Sequence, residues 1–338
     1  MARMNELMQA QGNEPGGGSR EPVSFRALAA AAPSVQAVYA GPDWYRLAHE
    51  ALGRLAPAGQ PSNPFQLEGV ARVAMMEEFT KIATGFVDSL QQHDHFLAKA
   101  MAGQAGSPVV SNMVHVSIFA TKLGMGLGYQ REALIGLALA GLLHDVGMLQ
   151  VPGTILDNPG KLSDEDRARI RQHPEVGFQM LSKLGSQYAW LAQVVWQEHE
   201  RWNGQGYPRG LKGDHIHEYA RIIGIVDIFE ALISPRSYRK RLLPHEAVRE
   251  LLVAEKASFP NPIIKALVQQ FTLFPLGTRV KLNTGELGVV SKLNHRYPLR
   301  PVLMIDKGGA AGASPRSIDL SVTTLVNIVE VIGSDAGA

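Results

Sequence analysis

Residues Ala133–Gln150 read ALIGLALAGLLHDVGMLQ. Eleven consecutive residues, Ala133 to Leu143, carry no polar or charged side chain, and then His144 and Asp145 arrive together. Eleven apolar residues fall short of a bilayer's thickness and suit a helix buried on all sides of a soluble core. A carboxylate at the end of such a helix is costly unless it is paired or binds a metal. A lone His-Asp pair serves as readily as a structural hydrogen bond as it does a ligand pair. The residues on either side decide between the two.

Downstream, Gly147, Pro152 and Gly153 break the helix. Ser163, with Asp166 three residues on, forms a capping-box pattern for a helix running on from Arg167 to Leu184 and carrying His173. The next helix, Gln187 to Glu200, is apolar at Trp190, Leu191, Val194 and Val195 and ends in Glu198, His199 and Glu200. RWNGQGYPRGLKG, Arg201 to Gly213, holds four glycines and a proline and is a loop. Tyr219 to Ile233 is again strongly apolar and buries Asp227, and Arg236, Arg239, Lys240 and Arg241 follow it. Pro244 opens a further helix, and Pro262 to Phe271 makes another.

Upstream, Ser111 to Leu123 has one apolar face, and Phe65 to Ala102 has helical spacing throughout. Met75 and Met76 there read as core filler. His93, Asp94 and His95 sit among glutamines and read as a solvated turn rather than a metal cluster. Gly124, Gly126 and Gly128 look like a dinucleotide loop only superficially, because no strand precedes them. Residues 1–22, with GGGS at Gly16 to Ser19, read as a flexible tail. Residues 23–64 read as an N-terminal helical segment, with pieces at Phe25 to Ala31 and Trp44 to Leu55 broken by Pro33, Pro42 and Pro57. A helical domain spans 65–273.

From Thr278 the period changes. Thr278 to Leu282 and Leu287 to Leu293 are β-branched or alternating, with Asn283-Thr284-Gly285 as the turn between them. Val302 to Ile305 and Leu325 to Ile332 follow, and Gly308 to Ser314 reads as a flexible link. The fold expected is mainly α, a helical bundle with a small C-terminal β module over 274–338.

Composition narrows the chemistry. The 338 residues carry a formal net charge of +2, which gives no general case for DNA as a partner. No signal core and no apolar run of spanning length is read, so the expectation is a cytoplasmic protein with no membrane partner. There is no cysteine, so a metal must sit on His, Asp and Glu. The candidates are His144, Asp145, His173, His199 and Asp227, with Glu198 beside His199. One buried imidazole is usually a satisfied core residue, whereas five such ligands in mostly apolar settings are hard to explain that way. Imidazole and carboxylate without sulfur suit Fe, Mn, Zn or Ni. Asp145 is the natural bridge between two ions, which at about 3.5–4 Å apart would clamp a phosphodiester and activate a water. Asp145 and His144 are thus the catalytic candidates. The Arg236 to Arg241 cluster supplies phosphate-binding cations or else a solvated basic face.

Read together, HDVGM at His144 to Met148, PGK at Pro159 to Lys161, HPEVG at His173 to Gly177, HERWNGQGYPRGLKG at His199 to Gly213, ARIIGIVDIFEAL at Ala220 to Leu232 and RSYRK at Arg236 to Lys240 resemble the HD-GYP family. Gly206, Tyr207 and Pro208 are the triplet that names it, and the resemblance runs from about Val70 to Phe271. It implies an HD-type helical bundle and hydrolysis of cyclic di-GMP, to the linear dinucleotide or GMP, over a two- or three-metal centre. It places His144, Asp145, His173, His199 and Asp227 at metal-ligand positions. It places Arg236 and Arg239, with Tyr207 beside them, at the substrate. The Gly206–Pro208 loop supports the site and, in the family, contacts diguanylate cyclase domains. The β module is similar to the tail of some members.

Four positions depart from the family pattern. Asn112 stands where the family has a histidine ahead of the His-Asp pair, and His115, one turn away in register, is not read as its substitute. Glu198 stands for one of two paired histidines; glutamate oxygen also binds hard metals, a change that retunes a site rather than destroying it. Met148 replaces a lysine and removes a charge from the phosphate pocket, and Pro108 replaces a carboxylate, which argues against a third metal. The expectation is a metal-dependent cyclic di-GMP phosphodiesterase of reduced activity over two ions, or one. The alternative is a catalytically degenerate relative that senses cyclic di-GMP or docks a partner.

Overall fold

The computed structural model describes residues 41–55, 70–93, 95–102, 106–156, 158, 160, 162–234, 242, 244–271, 277–292, 294, 300–306, 316–323 and 325–332. The expected tail, the Phe25 to Ala31 piece, Asp94, the Arg236 to Arg241 cations and the Gly308 to Ser314 link lie outside these residues.

The bundle is built from α1 (Trp44–Leu55), α2 (Val70–Gln92), α3 (His95–Ala102), α4 (Pro108–Gly126), α5 (Arg131–Leu143), α6 (Asp164–Ile170), α7 (His173–Leu181), α8 (Ala189–Gln197), α9 (Glu218–Ile233), α10 (Pro244–Ala254) and α11 (Asn261–Gln270). Its centre is α5 against α4. Both are mostly apolar and bury most of their residues, as expected for helices with neighbours on several sides. Three aromatic rings close this core: Phe119 on α4, Phe229 on α9 and Phe271 after α11, with centroids 4.8–5.5 Å apart.

Two boundaries differ from the expectation. The single helix expected from Arg167 to Leu184 is two: α6 ends at Ile170, and α7 begins at His173 with Pro174 in its first turn. Proline in a first turn starts a helix at no loss of hydrogen bonding, which the apolar period alone does not reveal. The capping box forms as read, with Ser163 accepting from the Asp166 N–H and Asp166 from Ser163. Counted with the 3₁₀ turn Val146–Gln150 that follows α5, Arg131–Gln150 reaches membrane-spanning length and hydropathy, contrary to the expectation. Most of that stretch is buried inside the bundle, as befits a core helix.

The C-terminal module is one antiparallel sheet in the order β4-β3-β2-β1-β5, from β1 (Arg279–Leu282), β2 (Leu287–Lys292), β3 (Val302–Asp306), β4 (Arg316–Asp319) and β5 (Ile328–Ile332). Gly285 makes the β1–β2 turn at φ 86°. Strand β4 was not expected. Arg-Ser-Ile-Asp carries one apolar residue, and as an edge strand it needs only Ile318 to face inward.

Candidate metal centre

Five of the six candidate ligands sit where a helix begins or ends, and the sixth, Asp227, lies within α9. His144 caps α5, and its Nδ1 donates to the Gly141 carbonyl at 2.8 Å. His173 opens α7, and its Nδ1 donates to the Ile170 carbonyl at 2.7 Å. Both rings therefore present Nε2 inward, the tautomer control usual for metal-binding imidazoles. Glu198 caps α8, and His199 follows it.

Two close approaches make the assembly possible. A Cβ on Gly147 would lie 2.0 Å from the His173 carbonyl oxygen, so only glycine lets the turn after Asp145 pass beneath α7. A Cβ on Gly224 would lie 2.4 Å from the Glu198 carbonyl oxygen, so glycine also lets α9 approach the end of α8. Helix α9 then delivers Asp227 and, one turn later, Glu230.

Asp145, His173, Glu198 and His199 each turn a ligand atom into one volume, all within 4.8 Å of one another. His173 Nε2 lies 3.1 Å from Asp145 Oδ1, 3.6 Å from Glu198 Oε1 and 2.9 Å from His199 Nε2. His144 Nε2 lies 3.5 Å from Asp145 Oδ2, 3.8 Å from Glu198 Oε2 and 3.9 Å from Asp227 Oδ1. All six candidate ligands therefore converge. His93 and His95 take no part in the cluster.

The donor set fits a divalent transition ion. His144 Nε2 and both carboxylate oxygens of Glu198 are buried without a hydrogen-bond partner, which is expensive unless a cation meets them. Electrostatics agree. Burial pushes the His144 imidazole down, but Glu198, Asp145 and Asp227 together outweigh it and lift it to about 8. Burial raises the Asp145 carboxyl, but His144, His173 and His199 hold it well below the carboxylate range. Burial raises Glu198 to about 7, and burial with the nearby Asp145 and Glu230 charges raises Asp227. Asp145 and Asp227 side chains are 17% and 20% exposed, against 1% for His144 and Glu198, so the site opens on its aspartate side.

The signature loop flanks the cluster. Tyr207 stacks on His199, with centroids 4.6 Å apart and planes at 15°. The guanidinium of Arg171 lies 4.4 Å from the Tyr207 ring centroid. Burial and then the carboxylates of Glu198, Asp145 and Asp227 raise the Tyr207 hydroxyl, so it stays a donor. The loop is held by buried Glu200, whose two oxygens accept the Arg209 and Leu211 backbone N–H groups at 2.8 and 2.9 Å. A cleft of about 310 Å³ opens beside His199 and Tyr207, lined also by Arg201, Glu255 and Ser258.

Asn112 behaves differently from a substitute ligand. Its Nδ2 donates to Asp227 Oδ1 and to Glu230 Oε2, each at 3.0 Å, so it turns its amide nitrogen rather than its oxygen toward the centre. Two carboxylates can be met only by the NH₂ end. Glu230, Glu200 and Arg171 were missed in the sequence. For Glu230 the signal was available: a second carboxylate three residues after Asp227 on the same face of an apolar helix.

Comparison with known proteins agrees with this architecture. Residues 90–259, half of the chain, match the HD domain family, and residues 279–336 match the KOW domain associated with HD domains. The chain belongs to the HD-GYP family. It is 38% identical over 164 residues to the cyclic di-GMP phosphodiesterase PA4108 of Pseudomonas aeruginosa, covering 48% of this chain and 39% of that protein. It is 33% identical over 178 residues to the cyclic di-GMP phosphodiesterase response regulator RpfG of Xanthomonas campestris, covering 51% and 46%. With the 3'3'-cGAMP-specific phosphodiesterase 3 of Vibrio cholerae it shares 40% identity over 124 residues, 37% of this chain and 27% of that one. The chain thus spans less than half the length of these relatives. Among solved structures, Bd1817, a HDG"Y"P protein from Bdellovibrio bacteriovorus, shares the fold with a TM-score of 0.54 at 21% identity, covering 68% of this chain and 73% of that one.

Proposed function

We propose that this protein is a metal-dependent phosphodiesterase that hydrolyses cyclic di-GMP. The observation that carries the reading is the convergence of Asp145, His173, Glu198 and His199 within 4.8 Å, beside a buried His144 Nε2 that makes no hydrogen bond. His144, Asp145, His173, Glu198, His199 and Asp227 would hold one or two ions of Fe, Mn, Zn or Ni. Such ions supply Lewis acidity toward a phosphodiester oxygen and acidify bound water.

The chain's own residues bind and orient. The backbone carbonyls of Gly141 and Ile170 fix the rings of His144 and His173, so neither ligand has to reorganise during reaction. Tyr207, kept protonated, donates toward the phosphate from its place on His199. Arg171 beside it, with Arg236 and Arg239 after α9, neutralises phosphate charge and stands in for the lysine absent at Met148. Hydrolysis forms one O–P bond from water and breaks one P–O bond to ribose, whose oxygen leaves with a proton. The exposed tip of the loop, Pro208 to Gly210, is available to a partner such as a diguanylate cyclase domain.

A second reading, a cyclic di-GMP sensor without turnover, is favoured by Asn112, which places an amide donor beside Asp227 instead of a ligand. Incubating the purified chain with Mn²⁺ or Fe²⁺ and either cyclic di-GMP or 3'3'-cGAMP, and following products by chromatography, separates the two. Formation of linear dinucleotide or GMP supports the enzyme. Calorimetric binding with no turnover supports the sensor, and neither binding nor turnover sinks both.

A further inference from the structure

Helix α1 lies outside the residues that match the HD domain, yet one of its side chains begins a buried hydrogen-bond chain that ends at the metal centre. The Tyr45 hydroxyl is 2.7 Å from His115 Nε2, and His115 Nδ1 is 2.9 Å from Glu230 Oε1. The other oxygen of Glu230 accepts from Asn112 Nδ2, and the same amide nitrogen donates to Asp227 Oδ1. Tyr45, His115 and Glu230 are all buried.

The direction of the chain follows from its acceptors. Glu230 is met by His115, Asn112 and the Ser234 hydroxyl, and a carboxylate only accepts. Nδ1 of His115 therefore donates, and in the neutral ring Nε2 receives the Tyr45 proton. Each member fixes the next. Without the Tyr45 hydroxyl, His115 Nε2 is left buried and unpaired, and the ring loses the contact that sets its plane. Glu230 keeps the Ser234 hydroxyl but has a loosened His115 donor, Asn112 then has a less fixed acceptor, and the partly exposed Asp227 carboxylate is freer to turn away from His144.

We infer that Tyr45 is a positioning residue of the metal centre, holding the Asp227 carboxylate toward His144 through His115, Glu230 and Asn112. The inference rests on the reading of Asp227 as a metal ligand. Helix α1 is docked independently of this chain, since Trp44 packs on Gly85 and Lys99 pairs with Asp43 at 3.3 Å. Replacing Tyr45 by Phe therefore removes the hydrogen bond and keeps the ring and the helix in place.

The test compares the full chain with Tyr45→Phe and with Asp43→Asn, which loosens the same helix away from the chain of bonds. In the metal-free protein the side-chain amide cross-peak of Asn112, assigned by its loss in Asn112→Asp, is expected to move in Tyr45→Phe and stay in Asp43→Asn. Mn²⁺ affinity by calorimetry is expected to fall about threefold in Tyr45→Phe, less than the tenfold or more for losing a ligand's direct outer partner because Tyr45 acts through three intervening side chains, with kcat reduced and KM for cyclic di-GMP unchanged. An unmoved cross-peak in Tyr45→Phe, or equal losses in Asp43→Asn, overturns the inference. Wild type that binds Mn²⁺ without turnover overturns the proposed activity and leaves the cross-peak and Mn²⁺ comparison to decide this point. Wild type that binds no Mn²⁺ removes the ligand role of Asp227 and this inference with it.

Discussion

The Nε2 atoms of His173 and His199 face each other at 2.9 Å. Two imidazole nitrogens meet at that distance only around a shared proton or beside a cation that replaces it. Nδ1 of His173 is committed to the Ile170 carbonyl, so the shared proton can come only from Nε2 of one of the two rings. Burial pushes His173 down, but Asp145 and Glu198 outweigh it and raise it well above the ordinary histidine value. Burial and then the His173 charge hold His199 well below that value. In the metal-free site these opposite directions make His173 the donor and His199 the acceptor, with Asp145 Oδ1 at 3.1 Å competing for the same proton.

A metal ion must therefore displace protons from His173 and from His144, which stands at about 8. Metal affinity is expected to rise with pH, by about tenfold per unit for each proton released. In the metal-free protein the raised histidines stabilise the fold fully below about pH 6.5, and that contribution is lost as pH rises through their folded values. Glu198, raised to about 7, acts in the same sense as it ionises. Melting with EDTA and with Mn²⁺ at pH 6.5 and 8.5 checks this. The gap between the two midpoints should widen at the higher pH, and a constant gap contradicts it.

Asp145→Asn keeps the shape of the central side chain and removes its charge. Asp145 faces both His144 and His173, so the change is expected to lower cyclic di-GMP turnover by about 10³-fold, equivalent to ~4 kcal/mol of lost stabilisation. Bound metal, measured by elemental analysis after gel filtration, should fall with it. Full activity in the variant would remove Asp145 from the centre.

Gly147→Ala tests the packing that brings His173 to Asp145. Its Cβ would collide with backbone rather than with a flexible side chain, so α7 has to move. Overpacking of this kind costs about 1–3 kcal/mol and should appear as a lower midpoint in urea together with weaker Mn²⁺ binding. Loss of stability with unchanged Mn²⁺ affinity would show that α7 can shift without disturbing the ligands.

Glu200→Ala leaves the Arg209 and Leu211 N–H groups without their acceptor. The expected loss of stability is about 1–3 kcal/mol in all, since Arg209 lies at the exposed tip where water can take the place of the carboxylate. Because the loop carries Tyr207, KM for cyclic di-GMP should rise along with it. Glu200→Gln, which can keep one of the two contacts, should fall between the variant and wild type in both measurements.

Much of the fold was legible because apolar period is local. Helices α5 and α9 were found close to their observed ends, since a run such as Ala133 to Leu143 has no other stable disposition than a buried helix. The split between α6 and α7 was not found because apolar spacing alone does not register Pro174 as the first turn of a new helix, and the edge strand β4 was not found because it depends on what its one inward residue, Ile318, packs against. The candidate ligands were legible as residue types that, His173 apart, stand on or at the ends of apolar helices. The roles of Asn112 and His115 were not.

By itself the sequence determined which side chains could not lie in water and which of those carried ligand atoms: His144, Asp145, His173, Glu198, His199 and Asp227 on apolar helices or at their ends. Burial is dictated by composition along a stretch of chain, so a linear pattern suffices to state it. Only the tertiary structure decided which way each polar atom points. Asn112 donates to Asp227 instead of offering its oxygen, and Tyr45 reaches His115 from a helix seventy positions away. Hydrogen bonds are directional and short, and their partners are chosen by how helices cross, which no local pattern records.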